Sequence, residues 1–564
     1  MESSVEAPAF DAWLDGFFAA YFRHNPVSAT FIGWHEHDAL LPDITPRGWE
    51  TRRAETEGML SALQSLPTEP LSTAQRIDRT LAAGQLEIAL WELGSAQFAH
   101  GNPSAFIGEA IFGVLSLFLR PFASLSERAE NAIARLHAMP AYLRAAQATI
   151  ATAPPAWTAK ARRECDGALA FLHGGIDTIA AEPEVRGGAL RAAAREAATA
   201  VESFAGWLDG ELAARPSNEY ACGEETLSLL VRRAHCVQTP LAELERRAEE
   251  VLAEAGAYLR DHAQDFGAAT PQEALAGLAD LHPTADGYYA AYGDVWTAAR
   301  AAALEHNLVT WPDFPIEFVP QPVWAREAAP SLYFLFYRSP AAFDSVLPVQ
   351  YLVSPIESSM PSEEIDRRLR ATNDSVIKLN HVVHHGGIGH HIQNWHAFRA
   401  ASRVGRIAAV DCASRTAMLC GGSMAEGWAC YATELMDEIG FLTPLERYAE
   451  QHTRLRMAAR TLADIRLHTE RWTLEETAAF YRDTVHMAPA AAEGEAVKNS
   501  MFPGTALMYL LGADTIRRLR EEMCARDGAA FDLMRFHDRF LAHGSIPPAL
   551  IAQTMREEGE VHAQ

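Results

Sequence analysis

Nowhere in this 564-residue chain do eighteen apolar residues run uninterrupted, so no membrane-spanning helix is expected. The opening stretch, MESSVEAPAFDAWLDGFF, carries acids where a secretory leader has a basic start before an apolar run. Neither a signal peptide nor a lipoprotein leader is expected, and a cytoplasmic protein is. Basic residues are outnumbered by acids, 48 to 73, for a formal net charge of −25. A field of that sign repels phosphate backbones, which argues against a nucleic-acid partner. Cysteine is sparse: Cys165, Cys222, Cys236, Cys412, Cys420, Cys430 and Cys524 are odd in number, and none forms a CxxC pair. That usage fits a reducing compartment, with the thiols as small core residues or bystanders. There is no Gly-rich phosphate loop ending in Lys-Ser or Lys-Thr and no dinucleotide fingerprint, so no nucleotide cofactor is implied.

What the chain does have is helix. The segments 189–214 and 240–266 are rich in Ala, Leu, Glu and Arg, with apolar residues every three to four positions. The second starts after Thr239-Pro240 with Glu243 close behind, a helix-start pattern. The exception is 311–355, where short aromatic and β-branched runs alternate with prolines and predict short strands. Within it, SLYFLFYRSP (331–340) reads as a buried strand or the lining of a cleft. Helix resumes near Ser362, where SEEIDRRLR places acids first and bases last. The loop-forming RPSNEYACG (215–223) suggests a soft boundary. It divides an N-terminal helical region, 1–215, from a metal-binding region, 216–564, the two expected to pack together as one body. The fold class expected is mainly α, with one small β element before the histidine-rich segment.

That segment, HVVHHGGIGHHIQNWH (381–396), holds six of the chain's 22 histidines and no acid. Two imidazoles and a carboxylate around an open position make a common catalytic zinc site, and the usual helical form is HExxH. Here no pair within His384-His385-Gly386-Gly387-Ile388-Gly389-His390-His391 is four apart, so an undistorted helix cannot bring them together. The three glycines allow a break between the two pairs, through which His384 and His390 could face one point. Which histidine of each pair faces it stays open, and His391 is an alternative to His390. His381, four residues before His385, offers a second possible helical chelate. A carboxylate is available downstream at Glu426, in the apolar helix GGSMAEGWACYATELMDEIGF (421–441), where an unpaired acid is costly.

Four motifs in order resemble those of the bacterial family called domain of unknown function 885, whose members look like zinc metallopeptidases of the gluzincin kind. HHGGIGHHIQ (384–393) lines up with the family's HExxPGHHxQ, and EGWACYATE (426–434) with its EGWALYAE. RTLADIRLHTERW (460–472) is similar to R-x-x-x-D-x-G-x-H-x-x-x-W, and PGTALMYLLG (503–512) to PGQALxYxxG. The resemblance implies a large gluzincin-like helical metallopeptidase fold with His384, His390 and Glu426 as metal ligands. It further implies His468 and Tyr509 as donors to a developing oxyanion, with Asp464 orienting the His468 ring. Arg460 and Lys498 fall in matched segments as candidates for binding a substrate carboxylate. Two departures stand out: His385 replaces the glutamate of HE, the residue expected to act as general base, and Ile388 replaces the proline. A neutral imidazole can accept a proton, which leaves His385 as base or as an extra ligand. A helix start near Thr505, after Pro503-Gly504, could aim backbone N–H groups at an anion.

The resulting expectation is a metal-dependent hydrolase acting on an amide or peptide bond of a small molecule or short peptide through metal-activated water. One divalent metal is expected, zinc first. Two histidines and a carboxylate also describe non-haem iron(II) enzymes, so oxidation or another non-hydrolytic reaction is the alternative. A catalytically inactive metal-binding homologue, its coordination closed by an extra imidazole, is the third reading.

Overall fold

Alanine-rich segments with an apolar residue at every third or fourth position bury one narrow stripe each, and such stripes pack helix on helix. The computed structural model describes residues 7–68, 71–329, 337–338, 342–344, 349–407 and 422–563, and these are mainly helical. The chain divides into two compact units, residues 1–222 with 321–347, and residues 223–320 with 348–564. The expected boundary at 215/216 therefore moves a few residues, and a later segment crosses over to the first unit. Its reason is apolar: Trp324 packs edge-on to Phe171 and Phe118, and Ala328 is buried in the same cluster.

In the first unit the core is shared by helices Pro103–Leu119, Leu125–Thr149, Pro155–Ala170 and Gly187–Trp207. Ala193, Ala194, Ala197, Ala198 and Val201 form the buried stripe of the last of these. Ser124 caps the second, its hydroxyl accepting the Glu127 N–H at 3.2 Å. Here one imidazole is held by two acids. His35 Nδ1 lies 2.9 Å from Asp38 Oδ2 and Nε2 2.8 Å from Asp344 Oδ1, and its ring stacks on Phe122.

In the second unit α1 (Leu241–His262) begins at Pro240, as the sequence predicts, and α2 (Tyr288–Glu305) leads to the β element. Strands β1 (Ile316–Pro320) and β2 (Val349–Val353) pair in parallel, Phe318 opposite Tyr351. The stretch 331–340 lies almost wholly outside the described residues. A helix over Ser362–Ala371 follows. Then come α3 (Val376–Gly386), α4 (His390–Ala397), α5 (Gly422–Glu438), α6 (Pro444–His468), α7 (Pro489–Met501), α8 (Met508–Asp527) and α9 (Leu533–Ala542). Thr443 and Glu446 form a reciprocal cap that starts α6, which packs along α1. Helices α5 and α8 cross at their backbones: a Cβ on Gly427 would stand 2.4 Å from the Gly512 Cα. The glycines of EGW and of MYLLG are thus two sides of one contact, which sets where Glu426 emerges.

Candidate metal centre

Helix α3 is wound as a π-helix, each N–H reaching the carbonyl five residues back rather than four. It stops at Gly386, and the chain turns through Gly387 (φ −121°, ψ −128°) to Gly389 (φ −71°, ψ −120°) before α4 starts at His390. Gly389 donates its N–H to the Val383 carbonyl at 3.0 Å. A Cβ at 389 would lie 1.9 Å from the His384 carbonyl oxygen, so no larger residue fits this turn. The indole of Trp428 on α5 donates to the Ile388 carbonyl at 2.8 Å, fastening the turn to the helix that carries Glu426. This is the break the glycines were read to permit, and it folds His390 back over the end of α3.

There His384 Nε2 lies 3.2 Å from Glu426 Oε2, and His390 Nε2 lies 3.9 Å from the same oxygen. Donors about 2.0–2.1 Å from a tetrahedral cation stand roughly 3.3 Å apart, so the first spacing matches and the second needs a small adjustment. His385 belongs to the group as well: the ligand atoms of His384, His385 and His390 lie within 4.8 Å of one another. Its Nδ1 is 2.6 Å from the Asn380 carbonyl, which fixes the proton on Nδ1 and leaves the Nε2 lone pair free. His390 is 1% exposed in its side chain, and both of its ring nitrogens lack a hydrogen-bond partner. Buried polar atoms are nearly always paired. The orphaned Nε2 beside a carboxylate fits a cation that needs donors.

Protonation agrees. Burial pushes the His390 ring down to about 3 and the His385 ring well below its ordinary value, so both are neutral donors. Burial alone would raise Glu426, but the hydrogen bond to His384 and the neighbouring imidazoles outweigh it and hold the carboxyl down to about 2. His385 and His390 offer neutral imidazoles and Glu426 a fixed negative charge, the forms a divalent cation binds.

The other predicted residues lie elsewhere, and the common reason is that a buried imidazole or carboxylate takes whatever backbone partner its helix meets. His391 turns away from the cluster: its Nε2 is 2.6 Å from the Phe314 carbonyl and its ring stacks on Phe314, which corrects its reading as a ligand. His468 is fully buried with Nε2 3.0 Å from the Asn499 carbonyl at the end of α7, a structural tie rather than an oxyanion donor. Asp464 does not orient it, since Asp464 Oδ1 is 3.6 Å away. Its carboxylate accepts the N–H of Gly504 (3.0 Å) and Leu507 (3.1 Å) instead. The helix expected near Thr505 therefore starts at Met508, and the anion its N–H groups meet is the chain's own Asp464. Arg460 pairs with Glu495 at 2.7 Å and lies over the Tyr509 ring, making both part of an internal ion-pair network; Lys498 is exposed at its edge. His381 hydrogen-bonds the Tyr351 hydroxyl on β2 and does not join His385 in a chelate. The sequence reading passed over Asn380 and Trp428. Asn380 acts through its main chain, which no side-chain pattern betrays, whereas the tryptophan beside Glu426 in EGW was there to be read.

A family model described as "Bacterial protein of unknown function (DUF885)" matches residues 26–555. The chain belongs to the DUF885 family. Among solved structures, the DUF885 chain is similar to "a putative lipoprotein of unknown function from Shewanella oneidensis", with 21% identity and a TM-score of 0.78. That alignment covers 97% of this chain and 99% of the other. It is also similar to "the putative lipoprotein from Colwellia psychrerythraea", with 18% identity, a TM-score of 0.78, and 98% and 99% covered. At these identities the likeness establishes the shared fold. No curated protein matches the chain.

Proposed function

We propose that this DUF885 protein is a metal-dependent hydrolase, gluzincin-like in plan, that cleaves an amide or peptide bond in a small molecule or short peptide. The observation that carries the reading is His390, both of whose buried ring nitrogens lack a partner beside His384 and Glu426. His384, His390 and Glu426 would hold a divalent cation, zinc first. When bound, such a cation supplies a Lewis acid that polarises a carbonyl and lowers the pKa of water. The chain's own residues do the remainder. Glu426 supplies the fixed negative charge. His385, its Nδ1–H held by the Asn380 carbonyl, presents a neutral Nε2 that takes up a proton. Because burial lowers its basicity, it releases that proton readily to a leaving amine.

One observation favours a second reading. With the His385 donor atom inside the cluster, three imidazoles and a carboxylate stand together, a set that also suits iron(II) and oxidation of a small molecule, or a closed and inactive site. Metal analysis with activity separates them. Zinc near one equivalent, with chelator-sensitive release of amines from peptides or N-acyl amino acids, supports hydrolysis; bound iron with substrate-dependent oxygen uptake overturns it. His385→Glu should retain or raise hydrolysis if the histidine stands in for the family's glutamate, and a complete loss of activity would assign it another role. A cytoplasmic location rests on the cysteines, five of which stand outside any disulfide among the described residues, while the two solved relatives carry the description lipoprotein. Cell fractionation decides between them.

A further inference from the structure

Helix α6 carries Arg456 and Arg460 four residues apart, hence on one face. Arg460 is fully engaged: Nε donates to Glu495 Oε1 at 2.7 Å and the guanidinium lies 4.7 Å over the Tyr509 ring. Arg456 is not. Among the described residues no carboxylate, carbonyl or hydroxyl accepts a hydrogen bond from it, although Glu495, Tyr509 and Tyr481 stand close enough to act on its charge. Burial and the like charge of Arg460 both work against its proton. Lys498, three residues beyond Glu495 on α7, adds a further positive charge, so Arg456, Arg460 and Lys498 surround the single acid Glu495. The surroundings grade from an exposed Lys498, through partly exposed Arg456, Glu495 and Tyr509, to buried Arg460 and Tyr481, so the group has a solvent-facing side and a buried side.

A half-buried guanidinium without a protein partner, beside a second arginine, is unfavourable in the resting fold. It becomes favourable once an anion enters. A single free planar fork matches a carboxylate, which it binds through two parallel N–H donors. The arginine group is also linked to the histidine centre through Cys430. Cys430, one turn after Glu426 on α5, packs with Tyr509 against Met457, Leu462 and Leu510, and its thiol is acted on by both Glu426 and Arg460. Cys430, which meets the arginine group, stands about 6 Å along α5 from Glu426.

We propose that Arg456 anchors a substrate carboxylate, so that the molecule taken at the histidine centre is an N-acyl amino acid or a short peptide with a free C-terminal carboxylate. The anion site stands on the α6 geometry; its link to catalysis rests on the hydrolase reading.

The test uses the full chain at constant ionic strength, with zinc and separately with chelator. Thermal shifts are read against N-acetylalanine, N-acetylalaninamide and inorganic phosphate. N-acetylalanine should raise the midpoint saturably in both conditions and the amide should not. Arg456→Gln should weaken the apparent affinity tenfold or more, Arg456→Lys should keep part of it, and Arg456→Gln without anion should melt at or above the native midpoint. Equal responses to acid and amide, a native-like response in Arg456→Gln, or a response to phosphate alone would overturn the proposal. If Arg456→Gln does not fold, the native protein's preference for acid over amide decides by itself. Anion binding that persists in a protein hydrolysing nothing defeats the hydrolase reading and leaves the site. Hydrolysis of acid and amide substrates at equal rates defeats the site and leaves the hydrolase.

Discussion

In the first unit one imidazole, His35, stands between two carboxylates; in the second, three imidazoles stand around one carboxylate. The first group balances itself. Burial opposes the charge on His35, but the hydrogen bonds to Asp344 and Asp38 outweigh it and lift the imidazolium to about 9, with Arg120 3.8 Å from the outer oxygen of Asp344. Two positive and two negative groups cancel, so no further charge is called for. The second group has one negative charge and an imidazole whose nitrogens are unpaired, and on the proposed reading an added cation completes it. A cluster of histidines is therefore informative through the count of acids beside it and the atoms left unpaired, more than through the number of rings.

The comparison breaks most sharply at the ligands. His390→Ala should lower affinity for zinc a hundredfold or more in a chelator competition, whereas His35→Ala should leave it unchanged; stoichiometric zinc in the His390 variant would remove the proposed centre. Next in size is the turn. Gly389→Ala must displace the His384 carbonyl, and a loss of about 2–4 kcal/mol in denaturant unfolding, together with weakened metal binding, is expected. An undiminished midpoint would mean that the turn is looser than drawn.

Smaller is the pH dependence of the first unit. Because the folded pKa of His35 is raised, its stabilisation is complete below about pH 6.5 and disappears as pH rises through about 9. The native protein should exceed His35→Gln by about 1–2 kcal/mol at pH 6, discounted for partial exposure, and the gap should close by pH 10. A gap that widens with pH contradicts the charged assignment. Smallest of all, His391→Asn and His468→Asn should each cost about 1 kcal/mol of stability and leave zinc affinity within twofold, since each loses a hydrogen bond to a carbonyl. A large metal effect from either would return that residue to the centre.

Much of this was legible beforehand. Helical periodicity gave the architecture, and the histidine spacing with its glycines, together with Glu426 in an apolar helix, named the group that converges. What escaped was the choice of partner. His391 stands in the same histidine-rich run as His390 and His468 in a matched motif, yet each meets a backbone carbonyl once its helix is placed, and that carbonyl comes from a residue 77 or 31 positions away. Asp464 likewise serves a turn 40 residues on. Residue type states what a side chain can bind, while only the crossing of helices states what it meets. The π-winding of α3 was equally hidden, because VIKLNHVVHH has no pattern that separates it from an ordinary helix.

The bond from the Trp428 indole to the Ile388 carbonyl has a kinetic consequence. It ties both halves of the donor set, the turn bearing the histidines and the helix bearing Glu426, before any ion arrives. Metal uptake at the proposed centre would then need no folding step. Loading and chelator stripping should be rapid and reversible on a folded protein, at rates governed by the shedding of water from the incoming ion rather than by rearrangement of the chain.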